Sequence, residues 1–461
     1  MAARGCPVLL NSFRDEPLDT LISRLDATSG SQLVKRISQQ LFERAKKVIP
    51  GGATRPFRAW DPYPFYGKKA YGSKLEDVEG NVYTDFWMAH GAEVLGHLHP
   101  AVVKATKEQC ELGFHLGVCN EWEVRLAEQV CKLVPSVKMI TFNNSGTEAI
   151  LHAVKLARAY TKRAKIAKFE WGFHGYIESL HTSCYGPAGG PDSAGHDPLS
   201  QKNTVVLPLH DASASHKAIK RRDLACVWLE TFPSAYTIPE DKEFVRGLRE
   251  VCSDTDTLLI LDEVVTGFRT NAGGTQAEYG VTPDLTTFGK ALAGGEFPVG
   301  AVGGRSEIME LMDVGKHPGS QSVYQGGTYA GNSLAMHAGY EATKVYEEGS
   351  MYPRMNGLGE RLLKGLEGAI EETHANARVT GYKSTATIHF LRAGAKVTDA
   401  RSLLLSVDKE MEKKYFKYLL SKGILAMTPS LPHFYVTFPH TNQEIDSVIL
   451  ATREFLKSNL G

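Results

Sequence analysis

The sequence has no excess of charge, few cysteines and no long hydrophobic run. Of its 461 residues, 52 are Lys or Arg and 52 are Asp or Glu, so neither nucleic acid nor a membrane surface is indicated as a partner. The seven cysteines are scattered without a C-x-x-C pair, which predicts reduced thiols and a cytoplasmic protein. No stretch approaches the ~20 apolar residues of a membrane span.

Short apolar segments alternate with helical segments from residue 100 onward, and this alternation predicts an α/β fold. Strands that are apolar along their whole length and separated by helices form mostly parallel sheets that are covered on both faces. The predicted strands are 138–142, 165–169, 204–208, 225–229, 257–261, 285–288 and 299–302.

The length of the chain predicts more than one domain. We expect an N-terminal extension at 1–33, the first part of a small domain at 34–90, a large domain at 91–340 and the rest of the small domain at 341–461. A helix is predicted at 34–48 and a hairpin at 71–86, with its turn at 79–81. The segment 184–198 is rich in Gly and Pro, which predicts a long loop of the kind that covers active sites.

Lys290 and Asp262 are the strongest functional signal in the sequence. Lys290 lies between glycine-rich stretches, and Asp262 ends a predicted strand, where open α/β sheets bind their ligands. A lysine that forms a Schiff base and an aspartate that pairs with the pyridinium nitrogen are the two groups that hold pyridoxal 5'-phosphate (PLP). The pair therefore predicts a PLP site.

Two further segments fit such a site. At 144–149, Asn-Ser-Gly-Thr-Glu-Ala begins a predicted helix, whose free backbone N–H groups can bind a phosphate. At 171–175, Trp-Gly-Phe-His-Gly follows a predicted strand and offers an aromatic ring for stacking on a planar cofactor. We assign no metal site, because His97 and His99 have no cysteine or carboxylate close by in the sequence.

The sequence resembles the class III PLP-dependent aminotransferases over residues 34–455, and within them the glutamate-1-semialdehyde 2,1-aminomutases. The motifs that carry the resemblance occur in the family's order at 144–149, 173–175, 261–269, 282–290 and 327–332. The resemblance implies PLP fold type I, with a seven-stranded, mostly parallel sheet in a large domain and a small α+β domain from both termini. It also implies a homodimer with a shared active site.

The resemblance implies a role for each matching residue. Lys290 binds the cofactor covalently and moves the substrate proton, while Asp262 faces the pyridine nitrogen. Val264 and Phe173 pack on the two ring faces, Phe173 at a position usually held by Tyr. The remaining cofactor residues are Ser145, Gly146, Thr147, His174, Glu230, Gly327 and Thr328. Ser145, Gly146 and Thr147 hold the phosphate, and Thr328 completes that site in the neighbouring subunit.

The sequence departs from the aminomutase pattern where the substrate should bind. Arg58, in Pro-Phe-Arg-Ala, is the candidate carboxylate clamp, and Arg55 stands where the aminomutases have a serine. His90 replaces a tryptophan, and a glutamate of the C-terminal motif is missing at 429–434. The strand motif Val-Glu-Pro is also changed, to Leu-Glu-Thr at 229–231.

Two reactions on a small carboxylate-bearing amino or oxo compound therefore remain open. One is the intramolecular exchange of an aminomutase. The other is a two-substrate, ping-pong transamination of a β- or ω-amino acid or amine, with a 2-oxo acid as acceptor.

Overall fold

The computed structural model describes residues 36–187, 190–233, 236–429 and 432–459, so the predicted extension at 1–33 lies outside the described residues. The described chain forms two compact units. The first contains residues up to 68 together with 76–81, and the second contains 69–75 and everything from 82 onward. The predicted domain boundaries stay a prediction.

The first unit contains helix α1 (Arg36–Val48), followed by short 3₁₀ turns at Pro50–Gly52 and Pro56–Arg58. Beyond the end of the helix, Gly51 and Gly52 adopt positive φ, and the Phe42 ring occupies the space that a Cβ on Gly52 would need. Ser38 donates its hydroxyl and its backbone N–H to the Glu79 carboxylate, both at 2.7 Å. This contact ties α1 to the predicted hairpin turn.

Strands β1 (Gly67–Tyr71) and β2 (Lys74–Asp77) each contain residues of both units. Strand β3 (Val82–Asp85) lies wholly in the second unit. The predicted hairpin at 71–86 is confirmed as β2 and β3.

A seven-stranded sheet forms the centre of the second unit. Its strands are β4 (Met139–Asn143), β5 (Lys165–Phe169), β6 (Thr204–Leu207), β7 (Leu224–Leu229), β8 (Leu258–Asp262), β9 (Leu285–Gly289) and β10 (Gly300–Gly304). Their spatial order is β4-β10-β9-β8-β7-β5-β6. Only β10 runs antiparallel to its neighbours in this sheet. All seven predicted strands are confirmed, with each end within two residues of its expected position.

The sheet is buried on both faces because successive side chains of a strand point to opposite sides. Trp228 and Ile260 join the apolar cluster that includes helix α5 (Gly146–Thr161). Their neighbours Val227 and Leu259 join the cluster that includes helix α7 (Lys242–Asp254). Helices on both faces are what a parallel arrangement requires.

The remaining helices of the second unit surround the sheet and extend beyond it. They are α2 (Met88–Gly91), α3 (Pro100–Leu112), α4 (Glu121–Leu133), α6 (Ala212–Ile219), α8 (Gly274–Tyr279), α9 (Ser306–Met309), α10 (Ser333–Glu348), α11 (Met351–Thr373), α12 (Ala400–Leu405), α13 (Lys409–Ser421) and α14 (Asn442–Asn459). Within the described ranges, no helix combines the length and the apolar character that crossing a bilayer requires.

The C-terminal part of the chain contributes two smaller sheets. Strands β11 (Ala377–Tyr382), β12 (Thr385–Phe390) and β14 (His433–Tyr435) form an antiparallel sheet in that order. Strand β13 (Ile424–Leu425) instead pairs in parallel with β3, in a sheet of order β1-β2-β3-β13. The predicted fold class, with a large mostly parallel sheet and an α+β part drawn from both ends of the chain, is confirmed.

Candidate active site

Asp262 is a buried, hydrogen-bonded carboxylate at the carboxyl end of a central strand. It is the last residue of β8 and is 4% exposed. His174 Nδ1 lies 2.8 Å from its Oδ2, while the backbone N–H of Val264 and the hydroxyl of Thr287 donate to its Oδ1 at 3.1 and 3.3 Å. These contacts fix the orientation of the Asp262 carboxylate.

Lys290 lies one strand away from Asp262. In the parallel pair β8–β9, Asp262 is opposite Thr287, and Lys290 follows directly after β9. Its backbone adopts φ 46°, an unfavourable conformation for a residue with a side chain. Left-handed residues of this kind cluster at functional sites. The predicted pairing of Lys290 with Asp262 is therefore supported by the geometry of adjacent strand ends.

Val264 and two glycines form a narrow cradle between the start of α5 and the end of β9. A Cβ on Gly146 would lie 3.1 Å from one methyl of Val264, and a Cβ on Gly289 would lie 3.3 Å from the same methyl. Ser145 caps α5 by accepting the backbone N–H of Glu148 at 3.2 Å. The first N–H groups of the helix thus lie beside Val264, in a space that only glycine leaves open.

The segment 172–175 joins this cradle to the ends of β5 and β7. Glu230, which is 5% exposed and follows β7, accepts the backbone N–H of Phe173 at 3.0 Å. Gly175 has φ 68°, and a Cβ there would lie 2.6 Å from the Thr147 hydroxyl. The structure therefore brings Phe173, His174, Thr147 and Glu230 together with Asp262, as a common cofactor site requires.

The segment of Gly327 and Thr328 lies near the end of β4. Gln325 donates to the Phe142 carbonyl at 2.6 Å, and a Cβ on Gly327 would lie 3.3 Å from Asn144. Thr328 itself is exposed on the single chain.

The predicted substrate residues are divided between the two units. Arg55 and Arg58 flank the 3₁₀ turn at Pro56–Arg58 in the first unit, and Arg58 is exposed. His90 lies in the second unit, within α2, where its ring packs edge-on against Trp87 with the centroids 4.8 Å apart. Their contacts with substrate stay a prediction.

Lys168 is a residue near this site that sequence reasoning missed. It is fully buried in β5, and its Nζ donates to the backbone carbonyls of Gly172 and Thr182, both at 2.6 Å. Burial lowers the pKa of its ammonium group. The sequence signal was a lysine inside an otherwise apolar strand. Its contacts fix the base of the segment that carries Phe173 and His174.

The chemistry of this side-chain set fits PLP. The shielded lysine corresponds to the carbonyl carbon of that cofactor. The hydrogen-bonded aspartate on the neighbouring strand corresponds to the pyridine nitrogen, and the glycine cradle at a helix N-terminus corresponds to the phosphate. Among the described residues, no group of three or more His, Cys, Asp or Glu side chains could hold a metal ion. His97 Nε2 lies 2.9 Å from the Asp85 carboxylate instead.

The family model described as Aminotransferase class-III matches residues 58–428, and the chain belongs to the class III aminotransferases. It is a PLP-dependent enzyme of fold type I, as the resemblance in the sequence implied.

Among its relatives, the glutamate-1-semialdehyde 2,1-aminomutase of Archaeoglobus fulgidus is 37% identical over 424 residues, which cover 91% of this chain and 99% of that protein. An omega-transaminase from Sphaerobacter thermophilus has a similar structure, with a TM-score of 0.85 and 32% identity, covering 93% of this chain and 99% of that one. A beta-phenylalanine aminotransferase from Variovorax paradoxus gives a TM-score of 0.82 and 29% identity over 96% and 97% of the two chains.

Proposed function

We propose that the protein uses PLP at this site to move an amino group on a small carboxylate-bearing amino or oxo compound, as glutamate-1-semialdehyde 2,1-aminomutases do. The observation that carries the proposal is the contact between His174 and Asp262, one strand away from Lys290. When bound, the cofactor accepts the electron pair that remains when the carbon bearing the amino group loses its proton.

Each residue of the site then has a defined task. Asp262, whose orientation is fixed by its hydrogen-bond partners, would pair with the ring nitrogen of the cofactor and keep a proton there. Lys290 would hold the cofactor and would move the proton at the substrate carbon. Val264 and Phe173 cover the two ring faces and exclude water from them.

The phosphate binds at the start of α5. The backbone N–H groups of Gly146 and Thr147 lie in the first turn, where the helix dipole favours an anion. Ser145 already accepts a hydrogen bond from Glu148, so its hydroxyl hydrogen is available to the phosphate. Thr328 adds a hydroxyl to the phosphate site of the neighbouring subunit.

Arg58 and Arg55, in the first unit, are the residues proposed to bind the substrate carboxylate. His90, in the second unit, is a separate candidate for substrate contact. Arg58 is exposed on the single chain, and a guanidinium group binds a carboxylate through two parallel hydrogen bonds. His90 stands where the aminomutases have a tryptophan, and its imidazole ring is smaller and more polar than an indole.

The second candidate is a two-substrate transaminase of a β- or ω-amino acid or amine. It is favoured by the altered substrate positions at His90 and 429–434 and by the similarity to the Sphaerobacter thermophilus omega-transaminase. In that reaction the first product leaves, and a 2-oxo acid restores the cofactor.

One experiment separates the two reactions. Enzyme loaded with pyridoxamine 5'-phosphate is mixed with glutamate 1-semialdehyde in the absence of any 2-oxo acid, and 5-aminolevulinate is quantified. Many turnovers per active site support the aminomutase reaction. If no more than one equivalent forms, while added amine and 2-oxo acid restore continuous turnover, the aminomutase assignment is wrong and the transaminase is supported.

A homodimer is also part of the proposal. Apolar side chains stay exposed on two segments that contact each other through the His115 and Tyr329 rings, whose centroids are 4.9 Å apart. These side chains are Leu112, Phe114, Leu116, Val118, Tyr324 and Tyr329. Exposed apolar patches of this kind mark protein interfaces. Sedimentation equilibrium should give twice the chain mass of 50.5 kDa, and a monomer would contradict this part of the proposal.

We also propose a cytoplasmic location. The six cysteines among the described residues, at 110, 119, 131, 184, 226 and 252, are all free thiols, as is usual for proteins in a reducing compartment.

A further inference from the structure

The segment Met88–Gly91, labelled α2 above, carries His90 and is a left-handed turn rather than a regular α-helix. Met88, Ala89, His90 and Gly91 follow one another with φ of 46°, 50°, 62° and 74°. Three of these residues have side chains that disfavour the left-handed region, so the surrounding structure must impose this conformation. A strained backbone that the surrounding structure holds in place is typical of functional sites.

Arg269 holds the C-terminal end of this turn. Its side chain is fully buried, and its Nη2 donates to the Gly91 carbonyl at 2.5 Å. The guanidinium carbon lies 4.9 Å from the centroid of the Tyr435 ring, and Nη1 donates to the Val436 carbonyl at 3.4 Å. No carboxylate forms a salt bridge with Arg269 among the described residues, so its charge is held by backbone carbonyls and a ring face.

Two further contacts fix the turn. Asp85 accepts the backbone N–H groups of Trp87 and Met88 at 2.7 and 2.9 Å, which holds its beginning. A Cβ on Gly91 would lie 2.9 Å from the Tyr435 ring, so the turn is closely packed against β14.

The loop that follows Lys290 closes the other side of the turn. A Cβ on Gly295 would lie 2.7 Å from both the Ala92 carbonyl and the Glu93 carboxyl group. Arg269 follows Asp262 in the chain, and Gly295 follows Lys290. The two segments that begin with the cofactor residues Asp262 and Lys290 thus also contact the turn that carries His90.

We propose that Arg269 is a positioning residue for substrate recognition: it holds the 88–91 turn in its left-handed conformation, and thereby sets where His90 meets the substrate relative to Asp262 and Lys290. This rests on the proposed function only for the role of His90. Arg269 acts through the Gly91 carbonyl, which its side chain contacts directly.

The test compares Arg269→Lys with Arg354→Lys in the full-length, PLP-loaded protein. Arg354 is an exposed control with the same two kinds of contact: it donates to the His440 carbonyl at 3.0 Å and lies 5.8 Å from the centroid of the Phe438 ring. Arg269→Lys should raise KM for the substrate by about tenfold or more, the loss expected for a hydrogen bond to a charged group, with an unchanged cofactor Kd. Arg354→Lys should leave KM within about twofold of the wild type.

A second readout does not depend on the substrate. The backbone N–H groups of Gly91 and Glu93 donate to Trp87 and Met88, so hydrogen–deuterium exchange of the 86–95 peptide reports on the turn. Arg269→Lys should speed exchange in this peptide, and Arg354→Lys should not. Gly91→Ala places a methyl group against Tyr435 and should raise KM to the same extent with Arg269 intact. If Arg269→Lys does not fold, this variant tests whether the turn sets KM.

The inference is overturned if Arg269→Lys leaves exchange and KM unchanged, or if the two arginine variants change them equally. If the wild type accepts no carboxylate substrate, the proposed function fails, while the exchange measurement still tests the role of Arg269.

Discussion

His174 Nδ1 lies 2.8 Å from Oδ2 of Asp262, and both side chains are almost completely buried. The ring of His174 is kept in place by Trp228, with the centroids 5.5 Å apart. A Cβ on Gly172 would lie 2.9 Å from its Nε2, so the backbone also packs closely on the ring. The histidine therefore orients the carboxylate that we propose pairs with the ring nitrogen of the cofactor.

Replacing His174 should weaken catalysis by removing a donor to Asp262. His174→Phe should lower kcat by about tenfold to a hundredfold, because a hydrogen bond to a charged group contributes about 1.5–3 kcal/mol. His174→Asn keeps a donor near the position of Nδ1 and should lose less. Steady-state kinetics check both variants, and equal losses would mean that the ring packs rather than donates.

Lys290→Ala should abolish turnover, with a loss in kcat of at least about a thousandfold, since both covalent binding and proton transfer are removed. The visible absorbance of the bound cofactor should change as well. The control is Lys107→Ala, which alters an exposed lysine on α3 and should behave as the wild type. Normal turnover by Lys290→Ala would contradict the account of the site.

Glu93 should make the protein less stable as pH rises. Its burial, together with the nearby Glu296 and Asp85, raises the pKa of its carboxyl group from 4.5 to about 9. Between these values the unfolded chain releases a proton that the folded protein keeps. This contribution to stability is therefore complete below pH 4.5 and is lost as pH rises towards 9.

Glu93→Gln removes this dependence. The difference in free energy of unfolding, Glu93→Gln minus wild type, should grow by about 1.4 kcal/mol for each unit that the pH rises. At pH 7 the variant should be more stable than wild type by about 3 kcal/mol. Urea denaturation of both proteins between about pH 5 and 8 measures the difference. A difference that does not vary with pH would show that Glu93 is ionised in the folded protein.

Arg58→Ala should raise KM for a carboxylate substrate by about tenfold to a hundredfold while leaving cofactor affinity unchanged, because a bidentate, charge-assisted contact is lost. Arg44→Ala is the matched control, since Arg44 is an exposed arginine of α1 in the same unit. An unchanged KM would remove Arg58 from the substrate site.

The sequence predicted the parts of this site whose chemistry follows from local pattern. Apolar runs located the central strands, and the residues after them, among them Asp262 and Lys290, became neighbours because parallel strands end at the same edge. The packing of Val264 against Gly146 and Gly289 could not be predicted from spacing, since it depends on three separate strand ends. The same holds for the contact between Arg269 and Gly91, which joins residues 178 positions apart.

Trapping the cofactor on its lysine tests the central claim most directly. PLP-loaded protein is reduced with borohydride, which converts a lysine-bound cofactor into a stable adduct, and the modified residue is identified by peptide mass spectrometry. The account predicts a single adduct on Lys290, and none in Lys290→Ala. An adduct on Lys168, the buried lysine of β5, or on no lysine at all, would contradict it.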